Sequence, residues 1–198
     1  MTRKTMQKRF RSLALERRVD PDSDQKLAEL ILYISSMSED DPFCGATKLN
    51  KILYFADAIS FAEYGEPITG AQYMKEEFGP VPVRLVPVRE KLKETNAIAV
   101  QKRSFLQGSM HRIVALRDPN LDVLSSRDIA LTVRVIKALR HRDTKSVSDM
   151  THSRKPWQLA RLGETIPYSA ILLSSTGVTE EDTLEAQDLI KKYGWDDV

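Results

Sequence analysis

The residues able to do chemistry are few and scattered along the chain. His111, His141 and His152 stand far apart, and none has a second histidine or a cysteine at metal-ligand spacing. A metal centre is therefore not expected. Cys44 sits between Pro42-Phe43 and Gly45, with no nucleophile signature around it, and reads as a structural thiol. Gly65 and Gly70 are too sparse to cradle a phosphate, and no Walker or dinucleotide pattern is present. Asn50 and Asp57 lie two helical turns apart on one flank of a predicted helix. A buried carboxylate must be hydrogen-bonded, so the reading favoured here is that they tie loops to that helix; the alternative is that one of them reads a partner's backbone. A single carboxylate with no evident second acid or base does not support hydrolysis. His152 and Trp157 flank Ser153-Arg154-Lys155-Pro156. There tryptophan anchors a loop and histidine caps a helix end, or the pair forms a hot spot for a partner. No catalytic residue, metal or cofactor is assigned.

These residues depend on the stretch Lys48 to Pro80. A helix is predicted from Thr47, as N-cap, to Tyr64, with Gly65 as its left-handed stop. At about 100° per residue, Leu49, Ile52, Leu53, Ala56, Ile59 and Ser60 share one face. Phe55 and Ala62 widen it on one side, and Phe61 and Tyr64 on the other. Only a strip near Lys51 and Ala58 is left for water, so this is expected to be the central, many-sided buried helix. Gly79-Pro80 then rules out helix continuation.

The series Lys48-Leu49-x-Lys51-Ile52-Leu53-Tyr54-Phe55-Ala56-Asp57, with Gly65, Tyr73 and Gly79-Pro80-Val81 after it, resembles the Panacea domain of SocA-like antitoxins and phage-associated proteins. Thr151-His152 and Pro156-Trp157 are similar to that family's histidine and tryptophan near its C-terminal end. The resemblance covers roughly residues 25 to 175. It implies a non-enzymatic antitoxin that binds a cognate protein toxin. Two mechanisms stay open, direct neutralisation and delivery of the toxin to a protease by an adaptor.

The rest of the chain sets the frame. At 198 residues, 41% hydrophobic and 29% charged, it suits one soluble domain with appendages. A net charge of +2 gives no global argument for nucleic acid. One cysteine excludes an internal disulfide, no apolar run nears the ~18 residues of a membrane span, and no secretory h-region follows the basic N-terminus, so a cytoplasmic protein is expected. Residues 1–20 form a basic arm with a weak stripe through Met6, Phe10 and Leu13. Arg9, Phe10 and Arg11 are its candidate partner contacts, beside Asn50, Tyr54, Asp57, His152 and Trp157. Residues 21–175 form the domain, and 176–198 a C-terminal helix stopping at Gly194. The fold class is α+β, predominantly α-helical with a small antiparallel sheet of two to three strands.

In chain order, a helix over 23–37 turns Leu27, Leu30, Ile31, Ile34 and Met37 inward. Pro82 and Pro87 break the next segment into a turn and a helix ending at Asn96. Strands follow at Ala97–Lys102 and Arg112–Leu116, and Gln72–Phe78 is a candidate third. Ser125 or Ser126 caps a helix reaching His141, with Ile129, Val133, Ile136 and Leu139 or Arg140 inward. A shorter helix starts at Asp143 or Thr144. Trp157, Leu159 and Leu162 are expected as apolar anchors, and 166–173 as a buried run. A helix followed by a hairpin also suggests a winged-helix-like DNA-binding regulator, with Lys102, Arg103, His111 and Arg112 near phosphates. Against it, Pro87 interrupts the would-be recognition helix, where Glu90 and Glu94 offset Arg89, Lys91 and Lys93.

Overall fold

A computed structural model describes residues 21–105 and 108–172; the basic arm and the expected last helix lie outside the described residues. Six α-helices and five strands are described. Helix α1 (Pro21–Met37) starts at a proline, whose missing N–H is no loss in a first turn, and carries Asp22 and Asp24 there. Leu27, Leu30, Ile31 and Ile34 are wholly buried, but Met37 is exposed because the chain turns away at that point.

Helix α2 (Ala46–Tyr64) is the centre of the domain. It begins one residue before Thr47. Gly45, not Thr47, is its N-cap, and no side chain caps it. It ends as expected at Gly65, which is left-handed (φ 80°) and returns its N–H to the Phe61 carbonyl. The expected water-facing strip does not exist, since Lys51 and Ala58 are both buried. Neighbours close on the helix from several sides: α1, strand β2, helices α4 and α5, and the turn at 168–172. Ala62 and Tyr64, at the C-terminal end of the predicted face, reach solvent, and the Arg127 guanidinium covers the Tyr64 ring at 4.5 Å.

Strand β1 (Tyr73–Glu76) pairs antiparallel with β2 (Gly79–Pro82), which the sequence reading did not anticipate. Gly79 opens β2 at φ 103°, across a two-residue turn from Glu76, so Gly79-Pro80 starts a strand as well as barring a helix. Two residues, Thr165–Ile166 (β5), complete this sheet in the order β2-β1-β5. The candidate third strand therefore does not join the second hairpin. That hairpin, β3 (Ile98–Phe105) and β4 (Gly108–Ala115), is longer than expected and forms its own sheet.

Helix α3 (Leu85–Glu94) holds Pro87 as its third residue. Helical N–H groups in a first turn have no partner within the helix, so this proline breaks nothing; the helix starts at Leu85, two residues before it, after a turn at Val83–Arg84. Helix α4 (Ser126–Leu139) opens with a capping box of Ser125 and Asp128. It stops two residues short of His141, which is left-handed at φ 62°. Its buried face runs through Leu131, Thr132, Val135, Ile136 and Leu139, with Ile129 and Val133 only half-buried. Helix α5 (Thr144–His152) is capped by Asp143. The short α6 (Lys155–Leu159) has proline in its first turn. Leu159 and Leu162 are 67% and 70% exposed, so they are not anchors. In the expected run from residue 166, Ile166 is buried, while Tyr168 and Ile171 are half-buried in a 3-10 turn.

Candidate functional site

Lys48, Lys51, Tyr54 and Asp57 stand three residues apart on α2. Three residues fall about 60° short of a full helical turn, so the four wind across the helix surface rather than forming a straight row. Each meets a different neighbour. The Lys48 ammonium, wholly buried, donates to Asp41 Oδ2 at 2.6 Å and to the Arg142 carbonyl at 2.8 Å. The same loop is gripped from β4, where buried Arg112 donates to the carbonyls of Ser38, Glu39 and Asp41 at 2.6 to 2.8 Å. Lys51 runs beneath Gly79. A Cβ there would come within 2.4 Å of Lys51 Cε and 2.6 Å of Thr151 Oγ1, so only glycine fits over the lysine.

Tyr54 packs edge-on against Tyr73, with ring centroids 5.2 Å apart, and burial pushes its hydroxyl up to about 12. Asp57, with no exposed surface, accepts from the Thr69 amide at 2.7 Å, the Thr69 hydroxyl at 2.5 Å and the Tyr73 hydroxyl at 2.8 Å. Burial raises its pKa, and these hydrogen bonds oppose that rise. These two side chains lie inside the domain, and the bonds of Asp57 hold the 68–69 loop and β1 to the central helix.

Beside Lys51 lies an edge of different character. The His152 and Trp157 rings stack 3.9 Å apart at 18°, and both residues are half-buried. Lys75 Nζ stands 3.8 Å from the Trp157 ring centroid and donates to the Ala160 carbonyl at 2.9 Å. Lys51 is close enough for its charge to act on His152. Burial and the charges of Lys51 and Lys75 lower the imidazole pKa, opposed by Asp149. Burial pulls the Lys51 ammonium down to about 8, so it remains mostly protonated at pH 7. Among the described residues, Ser35, Ser38, Asn50 and Arg89 each leave a buried side-chain polar atom unpaired, and at this edge Lys51 Nζ, His152 Nε2 and Trp157 Nε1 do so together. Buried polar atoms are nearly always paired, so their grouping here is unusual.

The other candidates are placed apart from this edge. Cys44 is buried, and burial pushes its thiol up, away from the reactive thiolate. His111 and His141 are exposed. Among the described residues, no cluster of three or more histidine, cysteine or carboxylate side chains could hold a metal. A groove of about 480 Å³ lies between Phe43, Gly45, Met110, His111 and Lys145; Lys51, His152 and Trp157 do not line it. Lys102 and Arg103 are exposed on β3, but Arg112, expected near phosphates, is closed inside its loop clamp. Arg9, Phe10 and Arg11 lie outside the described residues. Sequence reasoning missed the Arg112 clamp, the Asp41 partner of Lys48 and the Lys75 contact. The first and last are long-range; only Asp41, seven residues before Lys48, was within local reach.

Residues 49–158 match the model of the family described as antitoxin SocA-like, Panacea domain, and the chain belongs to that family. No curated protein and no solved structure matches the chain. The matched span begins inside α2, just after Lys48, and ends at the residue after Trp157. It thus takes in the Lys51 to Asp57 tethers, Gly79 and the His152–Trp157 edge. Membership points to an antitoxin-like, non-enzymatic role with a toxin as partner. Among the described residues, no helix is long and apolar enough to cross a membrane.

Proposed function

We propose that this protein is the antitoxin of a toxin–antitoxin pair, neutralising a cognate protein toxin by binding it. Family membership over 49–158 is the observation that carries this reading. The bonding pattern agrees with it. The charged motif side chains Lys48 and Asp57 are occupied in holding the domain together, as a rigid binding scaffold requires. The toxin contacts are placed on Arg9, Phe10 and Arg11 of the basic arm, on Asn50, and on His152 and Trp157 at the half-buried edge. Varying such parts changes partner choice without disturbing the core. Direct inhibition and adaptor delivery to a protease both begin with this complex. The DNA-binding alternative draws no support from Arg112, which it needed at the hairpin.

The test is co-expression with a short reading frame encoded beside this one. The wild-type chain restores growth and co-purifies with the toxin. Arg9→Ala/Phe10→Ala/Arg11→Ala melts with the parent and rescues poorly. If the toxic product neither binds the chain nor is relieved by it, the antitoxin reading fails. Rescue that vanishes only when a host protease is deleted identifies the adaptor route.

A further inference from the structure

Around Lys51, the unpaired donors lie where the fold supplies excess positive charge. Lys51 is 1% exposed and has no hydrogen-bond partner among the described residues. The His152 ring nitrogen and the Trp157 indole N–H, from the stacked pair beside it, are likewise unpaired. Lys75 stands over the indole, and Arg154, at the cap of α6, is close enough for its charge to act on Tyr54. Asp149 is the acid whose charge acts on His152. A lysine and an indole can only donate, and a neutral imidazole donates through Nε2 in one of its two tautomers. A buried ammonium without a counter-charge is among the least favourable arrangements a fold can hold, and an oxyanion relieves it. Gly79 seals one side of Lys51, so access runs along the half-buried His152–Trp157 edge.

We propose that Lys51, His152 and Trp157 form an oxyanion-binding site that takes a carboxylate or phosphate group. The site stands independently of the toxin reading. Two sources can supply the group: a free anion, or this chain's own acids. The turn at 168–172 packs against α6, and beyond residue 172 Asp and Glu outnumber Lys seven to two.

The experiment follows the Trp157 indole proton by NMR in the full chain, with Trp195→Phe to assign it. Inorganic phosphate and acetate are titrated against chloride at matched ionic strength. A saturable shift with phosphate or acetate, absent in Lys51→Met, supports a free anion. If Lys51→Met does not fold, His152→Asn replaces it, with at least several-fold weaker binding expected. No shift with either anion, but a displaced indole resonance when the seven acids beyond residue 172 become amides, supports the chain's own carboxylate. The proposal is overturned if chloride shifts the proton equally or if the Lys51 variant responds like the parent. It is also overturned if neither the anions nor the amide variant moves the resonance.

Discussion

Asp57→Ala should be among the most damaging single changes in the domain. It removes the acceptor of the Thr69 amide, the Thr69 hydroxyl and the Tyr73 hydroxyl, on residues 3% and 2% exposed. A buried donor left unpaired costs about 1–3 kcal/mol, and releasing a buried carboxylate offsets part of this, so a net loss of about 3 kcal/mol is expected. For a chain of this size that is a fall of roughly 6–12 °C in Tm. Asp57→Asn keeps one oxygen for the Thr69 amide, while the two hydroxyls turn to accept from its NH2, and it should lose less. The two variants also separate charge from shape through pH. The folded-state pKa of Asp57 is raised, chiefly by burial. Its contribution is therefore fully present below the unfolded value near 4 and is lost as pH rises through the folded value. Urea unfolding at a series of pH values should show a decline above pH 4 in the wild type that is missing from Asp57→Asn. An alanine variant within about 1 kcal/mol of the parent would refute the tether argument, as would identical pH profiles for wild type and Asp57→Asn.

Two further outcomes test the same framework. Leu53→Ala, at a wholly buried position in the middle of α2, should destabilise by about 2–5 kcal/mol in urea unfolding. Gly79→Ala should lower Tm clearly, because its Cβ would meet Lys51 Cε at 2.4 Å in a left-handed backbone; pairing it with Lys51→Ala should recover part of the loss, which a thermal-melt double-mutant cycle measures.

The central helix was legible because its apolar residues recur at helical spacing and glycine marks its end. The placement of its charges was not. Lys51 was assigned to water because lysine is rarely buried, and nothing near it in sequence announces that Gly79 will cover it. Thr47 was a reasonable cap by type, but the cap lies two residues earlier, at Gly45, and the helix starts at Ala46. The β1–β2 hairpin was hidden because Gly79-Pro80 bars a helix and opens a strand with the same two residues. Leu159 and Leu162 show the converse, apolar side chains read as anchors that the fold leaves in solvent. At the His152–Trp157 edge, sequence named both residues; their stacking, and the arrival of Lys75 from β1, come from tertiary contact alone.

The winding row on α2 bears on how the domain can move. Sliding a helix past its neighbours is a common way for packed proteins to change shape, and a smooth apolar helix resists it only weakly. Here a screw motion of three residues, about 4.5 Å along the axis with a turn of about 60°, would set Lys51 where Tyr54 meets the Tyr73 ring, and Tyr54 where Asp57 receives three hydrogen bonds. Lys48 would leave Asp41 without its counter-charge. Every neighbour would meet the wrong chemistry at once, so no intermediate position is comfortable. The helix is keyed to a single register, and any change of shape on binding must be sought in the segments around it.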